Sequence, residues 1–128
     1  MFVLLSIKPK YVEAIMRGYK KYEFRKSIFR HRNLAKVYMY SSSPVQKVVG
    51  TFGIGKIIED HPKLLWNQLH KFSGLEDKEF FRYFKDIERG FAIEIKSVEK
   101  FKEPIDPWDA IPCFVPPQSF CYIEPNIF

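Results

Sequence analysis

The chain has 128 residues, of which 46% are hydrophobic and 17% are aromatic, a composition that argues against disorder and predicts one domain over residues 1–128. Its 21 Lys and Arg residues outnumber its 15 Asp and Glu residues, and the formal net charge of +6 favours phosphate-rich partners such as RNA. Two cysteines without CxxC spacing and three histidines without ligand spacing predict no protein-bound metal and no other cofactor.

Two features bear on where the protein resides. The opening residues 1–7 are too short for the apolar region of a signal peptide, and no apolar run approaches the length of a membrane span. We therefore expect a cytoplasmic protein with no membrane partner, while the oligomeric state stays open.

The first 26 residues predict a strand, a helix and a second strand. Residues 2–7 form an apolar run with Val and Ile, which is typical of a buried strand. Pro9 suits the first turn of a helix, and Gly18 marks its end. Between them the apolar residues recur at helical spacing, at Tyr11, Val12, Ile15 and Met16. Residues 20–26 then leave the helix as a strand.

This second strand carries an unusual density of charge. Residues 18–26 read Gly-Tyr-Lys-Lys-Tyr-Glu-Phe-Arg-Lys, with four cations, one carboxylate and three aromatic rings. Because successive side chains of a strand point to opposite faces, Tyr22 and Phe24 share one face while Glu23 and Arg25 share the other, roughly 7 Å apart. The segment is either an amphipathic strand with its charged face in water, or a platform for a polyanion or a polar base.

A basic loop is predicted at residues 27–33. Its Arg30 and Arg32 extend the positive charge that begins at Lys20. We interpret His31, which lies between these arginines, as a solvated surface residue.

Two strands are predicted next, at residues 35–40 and 45–58. Three glycines interrupt the second strand and indicate bulges or a barrel corner. The turn between the strands is rich in serine and includes Ser42, whose hydroxyl suits either a phosphate contact or the turn itself.

Residues 60–86 predict a helical insertion, with Asp60 as the N-cap of its first helix. Apolar stripes run along both predicted helices, and we interpret them as packing surfaces rather than ligand contacts. The stripes contain Leu64, Leu65, Leu69, Phe72, Leu75, Phe80, Phe81 and Phe84.

The remaining sequence predicts a strand at residues 90–98 and a closing strand at residues 120–123. Between them, five prolines at 104–117 forbid regular helix and predict an extended arm anchored by Trp108 and Phe114. This order of elements predicts an α+β fold, a small mixed β-barrel with one N-terminal helix and a helical insertion at about 60–86.

The pattern Gly18-x-Lys20-x-x-Glu23-x-Arg25 follows the first strand and helix. In this position it resembles the motif of the ASCH domain, a branch of the PUA-like β-barrels. Supporting similarity lies in residues 48–52, 90–93 and 117–122. The resemblance implies a PUA-like barrel of five or six strands, a cleft beside the motif, and a role in RNA metabolism or in the regulation of transcription or translation.

The resemblance and the charge together predict an RNA-binding module. We expect Lys20, Arg25 and Lys26 to meet phosphates in a basic cleft, while Glu23 holds Arg25 in place or accepts a hydrogen bond from a base. An exposed Tyr22 or Tyr40 would stack on a base, although core packing is the more natural role of Tyr22. The full set of expected nucleic-acid contacts is Lys8, Lys20, Glu23, Arg25, Lys26, Arg30, Arg32 and Ser42.

The alternative is a hydrolase that acts on RNA or on a modified nucleoside, with Lys20 and Glu23 as the catalytic pair. The resembled family includes relatives described as ribonucleases. If this chain acts in the same way, Lys20 would stabilise the charge that develops on the phosphate. The resemblance also implies amidohydrolases of acylated cytidine that use a lysine, a threonine and a glutamate, but their threonine falls at Glu23 here. A third interpretation gives the Glu23–Arg25 pair only a bracing role.

Overall fold

Within residues 2–30, 36–124 and 127–128, which a computed structural model describes, the chain forms six strands and four α-helices. The strands are β1 (Phe2–Ile7), β2 (Tyr22–Arg25), β3 (Val37–Ser41), β4 (Lys47–Asp60), β5 (Gly90–Ile105) and β6 (Phe120–Ile123). The helices are α1 (Pro9–Met16), α2 (Pro62–Leu69), α3 (Asp77–Tyr83) and α4 (Pro107–Ala110), with a 3-10 turn at His70–Phe72 between α2 and α3.

The six strands form one mixed sheet in the order β2-β5-β4-β3-β1-β6. Strands β1 and β3 are parallel, and every other neighbouring pair is antiparallel. The sheet curls into a half-barrel with β2 and β6 as its edges, which confirms the predicted α+β fold built on a small mixed sheet. The cleft described below lies beside these two edges.

Strand β1 is buried on both faces, as its continuous apolar sequence predicts. Val3, Leu5 and Ile7 point into the main core beneath α1, and Leu4 points into a second cluster with Tyr40. Both clusters depend on the two-residue period of the strand. Phe114 is 7% exposed in the second cluster, so its predicted role as an anchor is confirmed.

A third cluster joins the two inserted helices to the sheet. It consists of Phe24 of β2, Ala92 of β5 and four residues of the insertion, Leu65, Leu69, Phe80 and Phe84. The interpretation of the helical stripes as packing is therefore confirmed for these four residues. It is wrong for Leu64 and Phe72, which are 52% and 44% exposed, whereas Phe81 is 38% exposed but packs edge-on against Phe80, with ring centroids 5.1 Å apart.

Three local predictions were wrong in detail. Asp60 ends β4, and the N-cap of α2 is His61, whose Nδ1 accepts a hydrogen bond from the backbone of Lys63. Strand β5 continues to Ile105. The proline-rich arm contains α4, because a proline at the first helical position loses no hydrogen bond and the Asp106 side chain caps the turn.

None of the helices in the described ranges is long and apolar enough to cross a bilayer.

Removing the Phe80 ring should destabilise the whole fold. The ring is fully buried, and its centroid lies 5.1 Å from that of Phe24 and 4.8 Å from that of Trp66. We expect Phe80→Ala to lower the free energy of unfolding by about 3–5 kcal/mol, the usual result of a large core cavity. Urea denaturation measures this, with Leu64→Ala on the exposed side of α2 as the control. Equal losses in the two variants would contradict this packing.

Candidate functional site

The charged motif is positioned by the end of α1. Gly18 follows the helix with φ = +87°, a left-handed conformation that glycine adopts without strain. The chain then turns back, and the backbone of Lys21 bonds to Phe72 of the insertion on one side and to Ile95 of β5 on the other. Strand β2 begins at the next residue and pairs with β5.

Glu23 lies between the two cations of the motif. Its Oε2 accepts a hydrogen bond of 2.7 Å from Nη2 of Arg25, and its Oε1 is 3.7 Å from Nζ of Lys20. Lys20, Glu23 and Arg25 are only 1%, 6% and 8% exposed. The predicted contact between Glu23 and Arg25 is confirmed, but the interpretation of a charged face in water is wrong, because other parts of the chain cover this face of β2.

The insertion covers Lys20. The Nζ of Lys20 donates a hydrogen bond of 2.6 Å to the carbonyl of Ser73, and it lies 5.4 Å from the ring centroid of Tyr11 and 5.2 Å from that of Phe24. Burial lowers the pKa of Lys20 from its ordinary value, an effect that the neighbouring Glu23 carboxylate partly opposes. Lys20 is therefore a buried cation in the wall of the site rather than an exposed surface charge.

Arg25 links the edges of the half-barrel. Its Nη2 donates to the carbonyl of Ser6 at the end of β1, and its Nη1 donates to the hydroxyl of Ser119 just before β6. Its Nε is buried and has no hydrogen-bond partner among the described residues. A buried donor without an acceptor costs about 1–3 kcal/mol, so this Nε is a candidate donor for a ligand atom.

These side chains line a cleft of about 920 Å³, within the range of small-molecule sites. Six of the eight residues predicted to contact nucleic acid lie in its lining: Lys8, Lys20, Glu23, Arg25, Lys26 and Ser42. Arg30 is exposed outside the lining, and its backbone N–H donates to the hydroxyl of Tyr122. Arg32 lies outside the described residues, and contact of any of these residues with RNA stays a prediction.

The sequence analysis missed a wall of the cleft formed by α1 and α3. Glu79 of α3 accepts hydrogen bonds of 2.7 Å from both Nζ of Lys10 and the hydroxyl of Tyr11, which ties the two helices together. These bonds lower the pKa of Glu79 to about 2, whereas burial, reinforced by Glu79, raises the pKa of Tyr11. Arg82 and Tyr83 line the same wall.

The signal for this wall is the helical spacing of Glu79, Arg82 and Tyr83, which places these residues on one face of α3. With Lys10 and Arg82 included, six basic and two acidic residues line the cleft. The two tyrosines considered for base stacking do not belong to it, since neither Tyr22 nor Tyr40 lines the cleft and Tyr40 is 1% exposed.

A second hollow of about 470 Å³ shares no residue with the cleft, and its lining includes His61, Phe81 and Phe84 of the insertion. Its mixed charges, Lys63 and Lys85 with Asp86 and Glu88, give it no clear ligand preference. In the part of the chain that the structure describes, no group of three or more His, Cys, Asp or Glu residues is arranged to hold a metal ion.

Gly74 controls how closely the insertion approaches Lys20. It has φ = +67°, and a Cβ built on it would lie 2.9 Å from Cβ of Lys20, whereas a Cβ on Gly18 would meet nothing within 4 Å. We expect Gly18→Ala to cost about 1–2 kcal/mol from left-handed strain alone. Gly74→Ala should cost about 1–3 kcal/mol more, because its methyl group must displace the Lys20 stem.

Urea denaturation of both variants measures the difference, since the backbone strain is common to the two glycines. Equal losses would show that the insertion does not pack tightly on Lys20.

No model of a known protein family matches the chain. The "ASCH domain-containing ribonuclease" of Zymomonas mobilis is 25% identical over 123 residues, which cover 94% of this chain and 83% of that protein. ATP synthase subunit alpha of Ureaplasma parvum is 30% identical over 105 residues, but the match spans only 13% of its length.

The crystal structure of ASCH from Zymomonas mobilis superimposes with a TM-score of 0.90 at 24% identity, over 98% of this chain and 89% of that one. The fold is therefore shared almost throughout. With the motif of β2 in its expected place, the chain is similar in sequence to the ASCH domain-containing relative over most of both proteins and shares the fold of ASCH from Zymomonas mobilis, which supports the resemblance to the ASCH domain family.

Proposed function

We propose that the chain binds RNA in the cleft and acts in RNA metabolism in the cytoplasm. The observation that carries the proposal is the convergence of six basic side chains in one cleft that holds only two carboxylates. Support also comes from the relative named a ribonuclease, to which this chain is similar over 83% of that protein's length. Excess positive charge in a concave site concentrates polyanions.

The exposed cations at the cleft are the natural phosphate contacts. Lys8, Lys26 and Arg82 are exposed and have no ion-pair partner in the described part of the chain. Lys10 is engaged by Glu79 and contributes less. We therefore expect these three residues to bind the RNA phosphates, contacts that do not depend on the RNA sequence.

The buried residues Glu23 and Arg25 would contact the base of a nucleotide rather than its phosphate. Glu23 fixes the guanidinium of Arg25, whose Nε has no partner in the described part of the chain and would donate to an acceptor of the ligand. The second carboxylate oxygen, Oε1, is 3.7 Å from Lys20 and keeps lone pairs that suit the amino group of a base. The residues that line the cleft thus offer both a donor and an acceptor, through which direct readout of a nucleotide would occur.

RNA cleavage is the second candidate, favoured by the name of the relative from Zymomonas mobilis. In this scheme Glu23 removes the proton of a 2′-hydroxyl, the 2′-oxygen attacks phosphorus, and Lys20 stabilises the charge on the phosphate oxygens. The P–O5′ bond breaks, which leaves a 2′,3′-cyclic phosphate and a 5′-oxygen that takes up a proton. The substrate would have to reach Oε1 of Glu23, because Oε2 is already bonded to Arg25. The amidohydrolase alternative has less support, since position 23 holds a carboxylate and no hydroxyl nucleophile.

Affinity for single-stranded RNA, measured by fluorescence anisotropy over a series of salt concentrations, tests the proposal. We expect Lys8→Ala with Arg82→Ala to weaken binding and to flatten the salt dependence, by about 0.7 in slope for each lost phosphate contact. Lys102→Ala, on an exposed part of β5 outside the cleft, is the matched control and should leave both quantities unchanged.

Equal salt slopes in the double variant and the wild type would place RNA elsewhere. The same samples, run on a denaturing gel, decide between binding and cleavage. Product that disappears in a Glu23→Gln variant shown by circular dichroism to be folded would establish cleavage, whereas product formed equally by this variant would come from a contaminating nuclease.

A further inference from the structure

Helix α3 presents a mixed face to the cleft, and its last residue is an exposed aromatic ring. Glu79, Arg82 and Tyr83 all line the cleft, and Glu79 is tied to α1 by hydrogen bonds from Lys10 and Tyr11. Tyr83 is 40% exposed, whereas its neighbour Phe84 is 3% exposed in the core. The helix therefore holds Tyr83 in the wall without burying it.

The Tyr83 ring is fixed in orientation. The buried Phe84 ring meets it nearly at right angles, with centroids 4.8 Å apart and an interplanar angle of 77°. A ring packed in this way loses little conformational freedom when a second planar group packs on it.

A cation already lies on this ring. The Nζ of Lys26 is 4.8 Å from the ring centroid of Tyr83, and within the described ranges Lys26 has no ion-pair partner. A cation over an aromatic face at an exposed site gains only about 0.5–1 kcal/mol, so Lys26 is readily moved to a phosphate. Arg82, the adjacent residue, adds a second exposed cation to the same wall.

We propose that Tyr83 is a stacking site for one unpaired base of single-stranded RNA, with Lys26 and Arg82 binding the phosphates on either side of that nucleotide. The proposal rests on the proposed function and specifies its ligand, a nucleotide whose base is free to leave a helix. Aromatic stacking with flanking cations is the usual chemistry of such sites and tolerates any base, because every base has a π-face.

A set of short single-stranded RNAs, each with one abasic residue at a different position, tests the proposal by anisotropy. We expect one abasic position to lower the affinity of the wild-type protein about tenfold, the usual effect of a lost stack. Tyr83→Leu should lose about the same factor on intact RNA and nothing further at that abasic position. Tyr83→Phe should keep wild-type affinity, and so should Tyr19→Leu, which alters a 55% exposed tyrosine outside the cleft.

The outcomes separate this inference from the proposed function. If the wild-type protein binds every abasic RNA as tightly as the intact RNA, the stacking site is overturned and RNA binding stands. The same holds if Tyr83→Leu binds intact RNA with wild-type affinity. A Tyr83→Leu variant that loses affinity equally on intact and abasic RNA assigns Tyr83 a structural role and also overturns it. Failure of the wild-type protein to bind any RNA overturns both proposals.

Photocrosslinking keeps the inference testable if Tyr83→Leu does not fold. RNA that carries 5-iodouridine is irradiated with the unaltered protein, and the modified residue is identified by mass spectrometry. Because this base crosslinks efficiently to an aromatic ring stacked on it, we expect the adduct on Tyr83. An adduct found only on aromatic residues outside the cleft, such as Tyr19 or Phe72, would contradict the proposal.

Discussion

The carboxylate of Glu23 is the charge on which the site depends. It is 6% exposed and lies between two buried cations, 2.7 Å from Nη2 of Arg25 and 3.7 Å from Nζ of Lys20. Without it, two like charges would remain buried side by side. Removing one partner of a buried pair typically costs about 3–5 kcal/mol. The cluster is thus a condition of the fold as well as a candidate part of its chemistry.

The same cluster joins separate parts of the architecture. Arg25 of β2 donates hydrogen bonds to Ser6 at the end of β1 and to Ser119 before β6, across the open side of the half-barrel. Lys20 donates a hydrogen bond to Ser73 in the insertion, where Gly74 permits close approach. The cleft forms where these links meet, so its shape is set by buried polar contacts. The exposed cations around it are left free for a ligand.

Much of the fold follows from local sequence. The apolar run of β1, the helix between Pro9 and Gly18 and the alternation that pairs Glu23 with Arg25 are all short-range patterns. The burial of that pair was not predictable, because it depends on segments near residues 73 and 119 that are distant in the chain. For the same reason the wall of α3 escaped notice: its apolar stripe predicts packing, and only the folded chain shows its polar face lining the cleft.

The most direct test of the account is the NMR signal of the Arg25 Nε–H during an RNA titration. Arg25 Nε is buried in the cleft lining without a partner among the described residues. We predict that its signal shifts and saturates together with the backbone amides of Lys8 and Lys26. The Nε–H of Arg17, bonded to Glu13 outside the cleft, should stay unchanged. RNA that binds while the Arg25 signal does not move would contradict the claim that this ion cluster is part of the RNA site.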